Sequence, residues 1–300
     1  MNNQTNNQII EKKQVYPIII PTHEYRDRFG NHNQFVEMNP SLYINEDGSY
    51  VILVRTVNYL KYKSKAFTIY GNSSTTLYSV IRGKLNDTEQ LNLDICEIKP
   101  ADIIYNIPRH SSLWYGIEDV RFIDSETILT CIPECNYSSP CIFVGKIKDN
   151  IITSFEKCQP SITEKNWMPY DKTKVIYSVS PFIIKSILSN DLETIELDKD
   201  AKLELDGWHG SSNGIDLFGK KVFLIHKNKD RVWNRWLVFN PDTKEVKYSN
   251  EFVFFKDSYF EFVCSLVHFK GRIFVSIGVN DNKAFIIELD INIVKHYCNL

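Results

Sequence analysis

The sequence has no surplus of either charge: 35 Lys and Arg stand against 37 Asp and Glu, a formal net charge of −2. With no global basic field, no nucleic-acid or anionic-membrane partner is expected, and any anion must be held by a local cluster. No apolar run is long enough to span a bilayer. The first residues, Met1-Asn2-Asn3-Gln4-Thr5-Asn6-Asn7-Gln8, lack the basic-then-apolar order of a signal peptide, so the expected compartment is the cytoplasm. The cysteines number seven, an odd count that reads as reduced thiols in such a chain. The spacing of Cys131, Cys135 and Cys141 fits no common zinc pattern, and no metal site is expected. The sequons at Asn72, Asn86 and Asn136 carry no meaning in that compartment. A sustained apolar pattern of helical period is missing too.

What the sequence does have is aromatic side chains, 16 Tyr, 18 Phe and 5 Trp, which suit β-sheet and also suit stacking on the apolar faces of sugar rings. It also repeats itself. Asn39–Ile44 and Tyr50–Arg55 flank a turn at Asn45-Glu46-Asp47-Gly48, a strong hairpin signal. The same pattern returns with Glu118–Ile123 and Thr127–Ile132, then Asn166–Tyr170 and Lys174–Ser178. It recurs as Ser211–Leu217 and Lys221–His226, and finally as Val263–His268 and Arg272–Gly278. Further strands follow each hairpin, for example Thr76–Ile81, Phe182–Leu188 and Ala284–Leu289, the last continued by Ile291–Val294 across a tight turn. Units of about forty to fifty residues, each a small antiparallel sheet, predict an all-β chain folded as a five-bladed β-propeller. Residues 15–300 form its single domain, with a first strand at Tyr16–Ile20 and residues 1–14 as a flexible arm.

In every unit the polar cluster precedes the first strand, and the second strand returns to the same side. Radial blades would therefore gather these ends around the mouth of the central channel. The gathered residues are Asn39, Arg55, Asn58 and Tyr59 from the first unit, and Glu118, Asp119, Arg121 and Glu134 from the second. The third supplies Lys165, Asn166, Trp167 and Ser180; the fourth His209, Ser211, Ser212 and His226; the fifth Glu261, Ser265, Asn280 and Asp281. Several have a plain structural alternative. Asp119 and Arg121 can be an ion pair at a strand start, and either His209 or His226 a hydrogen-bonded core residue. Trp167 suits a propeller core as well as a sugar platform, and Glu261 and Asp281 can satisfy backbone groups at strand ends. In an extended strand Glu118 and Asp119 point to opposite faces, which favours Asp119 over Glu118.

Gly116-Ile117-Glu118-Asp119-Val120-Arg121 resembles the Gly-x-Glu-Asp-Pro-Arg signature of glycoside hydrolase family 130, the β-mannoside phosphorylases and hydrolases. Asn39-Pro40 with Arg55 is similar to that family's first-blade elements, and His226 to its later-blade histidine. Glu164–Tyr170, His209–Ser212, Glu261–Leu266 and Gly278–Ala284 resemble motifs of the related mannosyltransferases and phosphorylases. The resemblance spans most of residues 35–290. Val120 departs from the family's proline, and Ile277 from its tyrosine before the last glycine.

The resemblance implies a five-bladed propeller acting on a hexose, mannose above all. The sugar would move between a glycoside and inorganic phosphate or a nucleotide-sugar donor, with inversion and without a cofactor. Asp119 would be the general acid, reaching the glycosidic oxygen through a mannose hydroxyl, with Glu118 beside it. Arg55, Arg121, Lys165, His209, His226 and Arg235 could cradle phosphate or a diphosphate. A hydrolase would instead need a second carboxylate as base, for which Glu261, Asp281 and Glu134 are candidates. A propeller that only binds glycan is the remaining alternative. Asp198-Lys199-Asp200 resembles the Asp-x-Asp of metal-dependent glycosyltransferases, but lies in a charged stretch that reads as a solvated face.

Overall fold

The computed structural model describes residues 8–20, 25–26, 32–33, 35–63, 67–94, 96–158 and 163–298. Short β-rich runs separated by turn residues can bury both faces only if sheets stack against one another, and the chain does this radially. It is a five-bladed β-propeller. The first blade comprises Val36–Ile44, Ser49–Val57, Ser74–Lys84 and Glu97–Pro100. The second comprises Glu118–Phe122, Thr127–Cys131, Ile142–Lys148 and Ile151–Lys157, with Asp102–Ile103 added in parallel at its outer edge. The third runs Met168–Pro169, Lys174–Ser178, Phe182–Ser186 and Leu192–Ile195. The fourth starts with two short pieces, His209–Gly210 and Ile215–Leu217, before Lys220–Asn228 and Val232–Phe239. The fifth is Glu261–Phe269, Arg272–Val279 and Lys283–Asp290, and its outer strand is Gln14–Ile18 from the chain's other end.

Each seam between neighbouring blades holds its own apolar cluster. Leu53 and Val80 pack on Val120 and Phe143 between the first and second blades. Leu129 and Cys131 meet Trp167 and Val175 in the next seam, and Ile176 and Phe182 meet Phe223 and Phe239 in the third. Leu224 and Trp236 face Val275 and Ile287, while Leu42 and Ile52 face Phe274 and Ile286 and close the ring. Strands sandwiched in this way are buried on both faces, as Thr127–Cys131 is throughout.

Two expectations need correction. The arm expected at residues 1–14 is in part structural: Gln8–Ile9 pairs in parallel with Phe252–Val253, and Ile10 is fully buried beside Phe252 and Phe254; residues 1–7 lie outside the described residues. Ile291–Val294 does not continue the sheet. Asp290 accepts the Asn292 N–H at 2.8 Å and a helix, Ile291–Cys298, buries Val294 and Cys298, one turn apart. Asp198-Lys199-Asp200 is exposed, as expected, and Asp198 caps the helix Lys199–Leu205 by accepting the Ala201 N–H at 2.7 Å. Among the described residues, no helix is long and apolar enough to cross a membrane.

Candidate active site

Two matching irregularities build the centre of the site. Met38 pairs with Arg55 and Ser41 with Leu53, so one extra residue is squeezed into the first blade's inner strand. The second blade repeats this between Glu118, opposite Cys131, and Arg121, opposite Leu129. These are β-bulges, and each contains a left-handed residue: Asn39 at φ 40° and Asp119 at φ 50°. Asn and Asp are the side chains that tolerate this region best after glycine. The bulge also breaks the alternation of the strand, so Glu118 and Asp119 reach the same partner. Arg55 binds Asp119 Oδ1 through Nη1 and Glu118 Oε1 through Nη2, each at 3.0 Å, and Asn39 Nδ2 donates to Asp119 Oδ1 at 2.9 Å. The expectation that Glu118 faces away is thereby corrected.

Gly116 opens this stretch for a steric reason. Its φ is +97°, and a Cβ there would lie 2.4 Å from the Thr76 carbonyl oxygen. Its N–H donates to Glu134 Oε1 at 2.9 Å. Behind the carboxylates, Arg121 donates through Nη1 to the Asp119 carbonyl at 3.0 Å and through Nε to the Ser211 carbonyl. Burial by itself pushes the Asp119 carboxyl up, but Arg55, Arg121, the Asn39 hydrogen bond and Lys165 together hold it below its ordinary value. Asp119 is therefore a carboxylate at neutral pH.

All five blades line the cavity in front of Asp119, which has a volume of about 480 Å³. Of the expected site residues, Asn39, Arg55, Tyr59, Glu118, Asp119, Lys165, Asn166, His226 and Asp281 border it. It brings cationic, imidazole and aromatic side chains together. Both Lys165 and His226 line it, and among the described residues Lys165 forms no ion pair and the buried His226 Nδ1 makes no hydrogen bond. Desolvation first, then the proximity of His209 and Arg121, lowers the His226 imidazolium to about 3, so that the ring is neutral. The cavity is also lined by Tyr59 and Trp114, their rings edge to face at 6.3 Å, and by Phe260 and Phe262, the latter edge to face with His226 at 5.2 Å. There Lys61 ion-pairs with Asp281 at 2.9 Å and sits 3.9 Å from the Phe260 ring centroid. Burial raises the Asp281 carboxyl above its ordinary value in spite of Lys61.

The other expected site residues do different work. Trp167 is wholly buried between the second and third blades, with Lys185 over its ring. Glu261 is also wholly buried and accepts from Asn234, Ser258 and the N–H groups of Phe254 and Phe255. Asn280 accepts the Tyr259 and Phe260 N–H groups, shaping the loop that carries the cavity's aromatic wall. Asn58 closes a turn through the Tyr70 and Ser73 carbonyls and the Thr75 N–H. Ser211 is buried and donates to the Val263 carbonyl. Arg235 faces away from the channel, paired with Glu204 and Glu251 between the rings of Trp208 and Tyr248. Arg121 lies behind the cavity, and His209 is exposed next to His226, their ring centroids 5.9 Å apart. Glu134 is buried and bound to Gly116 and Arg109, which removes it as a catalytic base.

Sequence reasoning missed Lys61, Trp114, Phe260, Phe262 and the loop residues Pro133, Ser138 and Pro140. Lys61 is two residues past Tyr59 and Trp114 two before Gly116, so proximity to the expected clusters was the available signal. Among the described residues no group of His, Cys, Asp and Glu is placed to hold a metal ion.

The fold has counterparts in solved structures. A β-1,2-mannobiose phosphorylase from Listeria innocua, in complex with β-1,2-mannobiose, superposes with a TM-score of 0.60 at 14% identity, over 95% of this chain and 99% of that one. The chain is a GH130-like five-bladed propeller. A second GH130 structure belongs to work on the family's hydrolases of β-1,2 mannosidic linkages in Candida mannan; it gives a TM-score of 0.58 at 12% identity, over 97% and 93% of the two chains. A glycosyl hydrolase from Bacteroides ovatus gives 0.54 at 13% identity, over 97% and 93%. At such identities the GH130 likeness is one of fold. No protein-family model matches the sequence, and no curated protein does.

Proposed function

We propose that this chain is a carbohydrate-active enzyme that moves a mannosyl residue between a β-mannoside and inorganic phosphate with inversion, Asp119 serving as the proton donor. The observation that carries the reading is the Asp119 carboxylate itself, held by Asn39 and Arg55 at the mouth of a cavity lined by Lys165, His226 and aromatic rings. Aromatic faces suit the apolar faces of sugar rings, and Lys165 with His226 and His209 suits an anion. In the reaction a phosphate oxygen bonds to the mannosyl C1 as the C1–O bond to the leaving sugar breaks. The leaving oxygen takes a proton from Asp119, by way of a mannosyl hydroxyl in the manner of family 130, and α-mannose 1-phosphate forms.

An ionised Asp119 has no proton to give. A phosphate bound near Lys165 and His226 offsets the positive charge that depresses its carboxyl, so phosphate and the catalytic proton arrive together. Phosphorolysis thus asks for no second carboxylate. Hydrolysis does, and it is the second reading because Asp281 shares the cavity with Asp119. Transfer from a nucleotide sugar would use the same groups for a diphosphate.

Incubating the pure protein with β-1,2-mannobiose, with and without phosphate, tests the proposal, alongside mannose 1-phosphate or GDP-mannose with acceptor sugars. Phosphate-dependent formation of mannose 1-phosphate, lost in Asp119→Asn, is the expected result. Release without phosphate would assign hydrolysis, and nucleotide release would assign transfer. No turnover in any mixture, with sugar binding equal in wild type and Asp119→Asn, would sink the enzymatic reading.

A further inference from the structure

Just outside the cavity, one aromatic ring is held out as a shelf. Tyr137 is 75% exposed, yet it is not loose. Its backbone is left-handed, with φ 52°, and its N–H bonds back to the Pro133 carbonyl to end the short helix Pro133–Asn136. One face of its ring stacks on His110, with centroids 3.8 Å apart and planes at 18°. His110 is fixed in turn, because its N–H donates to the Glu134 carbonyl at 2.8 Å. A third link joins Ser138 Oγ to Ser112 Oγ at 3.0 Å, and next to Ser112 stands Leu113, 68% exposed. The segments 109–114 and 133–138 are thus locked together, and Glu134 is the anchor of both, since it also binds Arg109 and Gly116.

A bulky side chain in the left-handed region is unfavourable unless its surroundings hold it there, and such conformations gather at functional sites. Here the surroundings occupy one face of the ring and leave the rest in water. The shelf is continuous with the cavity, for Ser138 and Trp114, the chain neighbours of Tyr137 and Leu113, both line it. Two exposed apolar side chains are too few for a stable protein interface, which buries on the order of 800 Å² per partner. The Tyr137 ring by itself matches the apolar face of a single sugar ring. A ring already fixed before binding loses little entropy on stacking.

We propose that Tyr137, backed by His110, stacks on a sugar residue beyond the disaccharide bound at Asp119, so that the substrate is a β-linked mannooligosaccharide of three or more residues. This rests on the β-mannoside reading of the cavity. The phenol hydroxyl remains available for the hydroxyls of that sugar, and the stacked histidine keeps the platform from turning away.

The test compares β-1,2-mannobiose with β-1,2-mannotriose and -tetraose as substrates, reading kcat/KM for each in wild type, Tyr137→Ala, Tyr137→Phe and His110→Ala. Wild type should prefer the triose to the biose. Tyr137→Ala should lower that preference roughly three- to tenfold, the worth of one aromatic contact; Tyr137→Phe should keep most of it, and His110→Ala should fall between. Equal use of biose and triose by wild type, or a preference that survives Tyr137→Ala, overturns the inference while leaving the β-mannoside reading standing. Failure to turn over or bind any β-mannoside, at any length, removes that reading and this inference with it. A self-association that Tyr137→Ala abolishes, without any chain-length preference, would assign the shelf to a protein contact and overturn the inference as well.

Discussion

Arg55 and Asp119 are joined at 3.0 Å across the seam between the first two blades, and the same guanidinium holds Glu118 at 3.0 Å. Arg55 is almost wholly buried, whereas both carboxylates keep an edge on the cavity. Arg55 thus fixes the position of the residue proposed for proton transfer and is the first of several groups that keep its carboxyl low against the effect of burial.

Replacing it should be costly in a way that depends on pH. Arg55→Leu leaves two neighbouring carboxylates without their cation, and removing one partner of a buried pair costs about 3 kcal/mol. Asp119 then loses the interactions that keep its carboxyl low, and its pKa rises. Denaturant unfolding at pH 7 and at pH 4 should show the gap between wild type and variant shrinking at the lower pH, as the variant's Asp119 takes up a proton. A gap that stays constant would refute this account of Asp119.

His226 makes a separate prediction of opposite chemistry. Its folded-state pKa, about 3, lies far below the ordinary imidazole value, so between the two the unfolded chain binds a proton that the folded chain does not. Stability should fall as pH drops below about 6.5 and go on falling toward 3. Because the ring borders solvent in the cavity, the loss between pH 7 and 4 should be about 1–2 kcal/mol greater in wild type than in His226→Gln. Parallel curves for the two proteins would count against a neutral His226.

Glu134 discriminates an anchor from a base. It is fully buried, and Glu134→Gln keeps an acceptor for Gly116 while removing the Arg109 ion pair. The expected result is a stability loss of about 1–3 kcal/mol, with turnover at a permissive temperature within tenfold of wild type. A base lost from the reaction would lower kcat by roughly a hundredfold or more, and the melting curve and kcat together separate the two.

Gly278 is tied to the site through Asn39. A Cβ at residue 278 would sit 2.1 Å from Asn39 Oδ1 and 2.7 Å from its backbone nitrogen. Gly278→Ala should therefore displace the side chain that donates to Asp119, with an overpacking cost of about 1–3 kcal/mol. kcat should fall more than KM rises, because Asp119 is misplaced while the aromatic rings of the cavity are left as they were. Unchanged kcat would show that the Asn39 contact is dispensable.

Much of this protein is written locally. The five hairpins follow from short apolar runs bounded by Asp-Gly and similar turns, and the structure pairs Leu42 with Ile52 and Phe122 with Ile128 in two of them. The conformational demand at Gly116 is of the same kind, since its φ of +97° suits a residue without a side chain. The helix at Ile291–Cys298 was less legible, because Ile291-Asn292-Ile293-Val294 also alternates like a strand; the cap at Asp290 and the packing of Val294 on the fourth-blade seam decided it.

The site itself needed the tertiary structure. A polar residue at a strand end can face the channel, a seam or the outer edge, and local sequence does not separate these. Trp167 entered a seam because the second and third blades close on it, and Arg235 turned outward to Glu204 and Glu251. Glu118 joined Asp119 because two bulges in neighbouring blades add one residue each, and a one-residue shift exchanges the faces of a strand. The repeat and its turn chemistry are encoded by residues near one another in the chain, so the sequence alone determined the propeller. Which carboxylates, cations and rings meet in the cavity depends on contacts between blades far apart in the chain, such as Arg55 with Asp119 and Lys61 with Asp281, and only closing the ring brought those together.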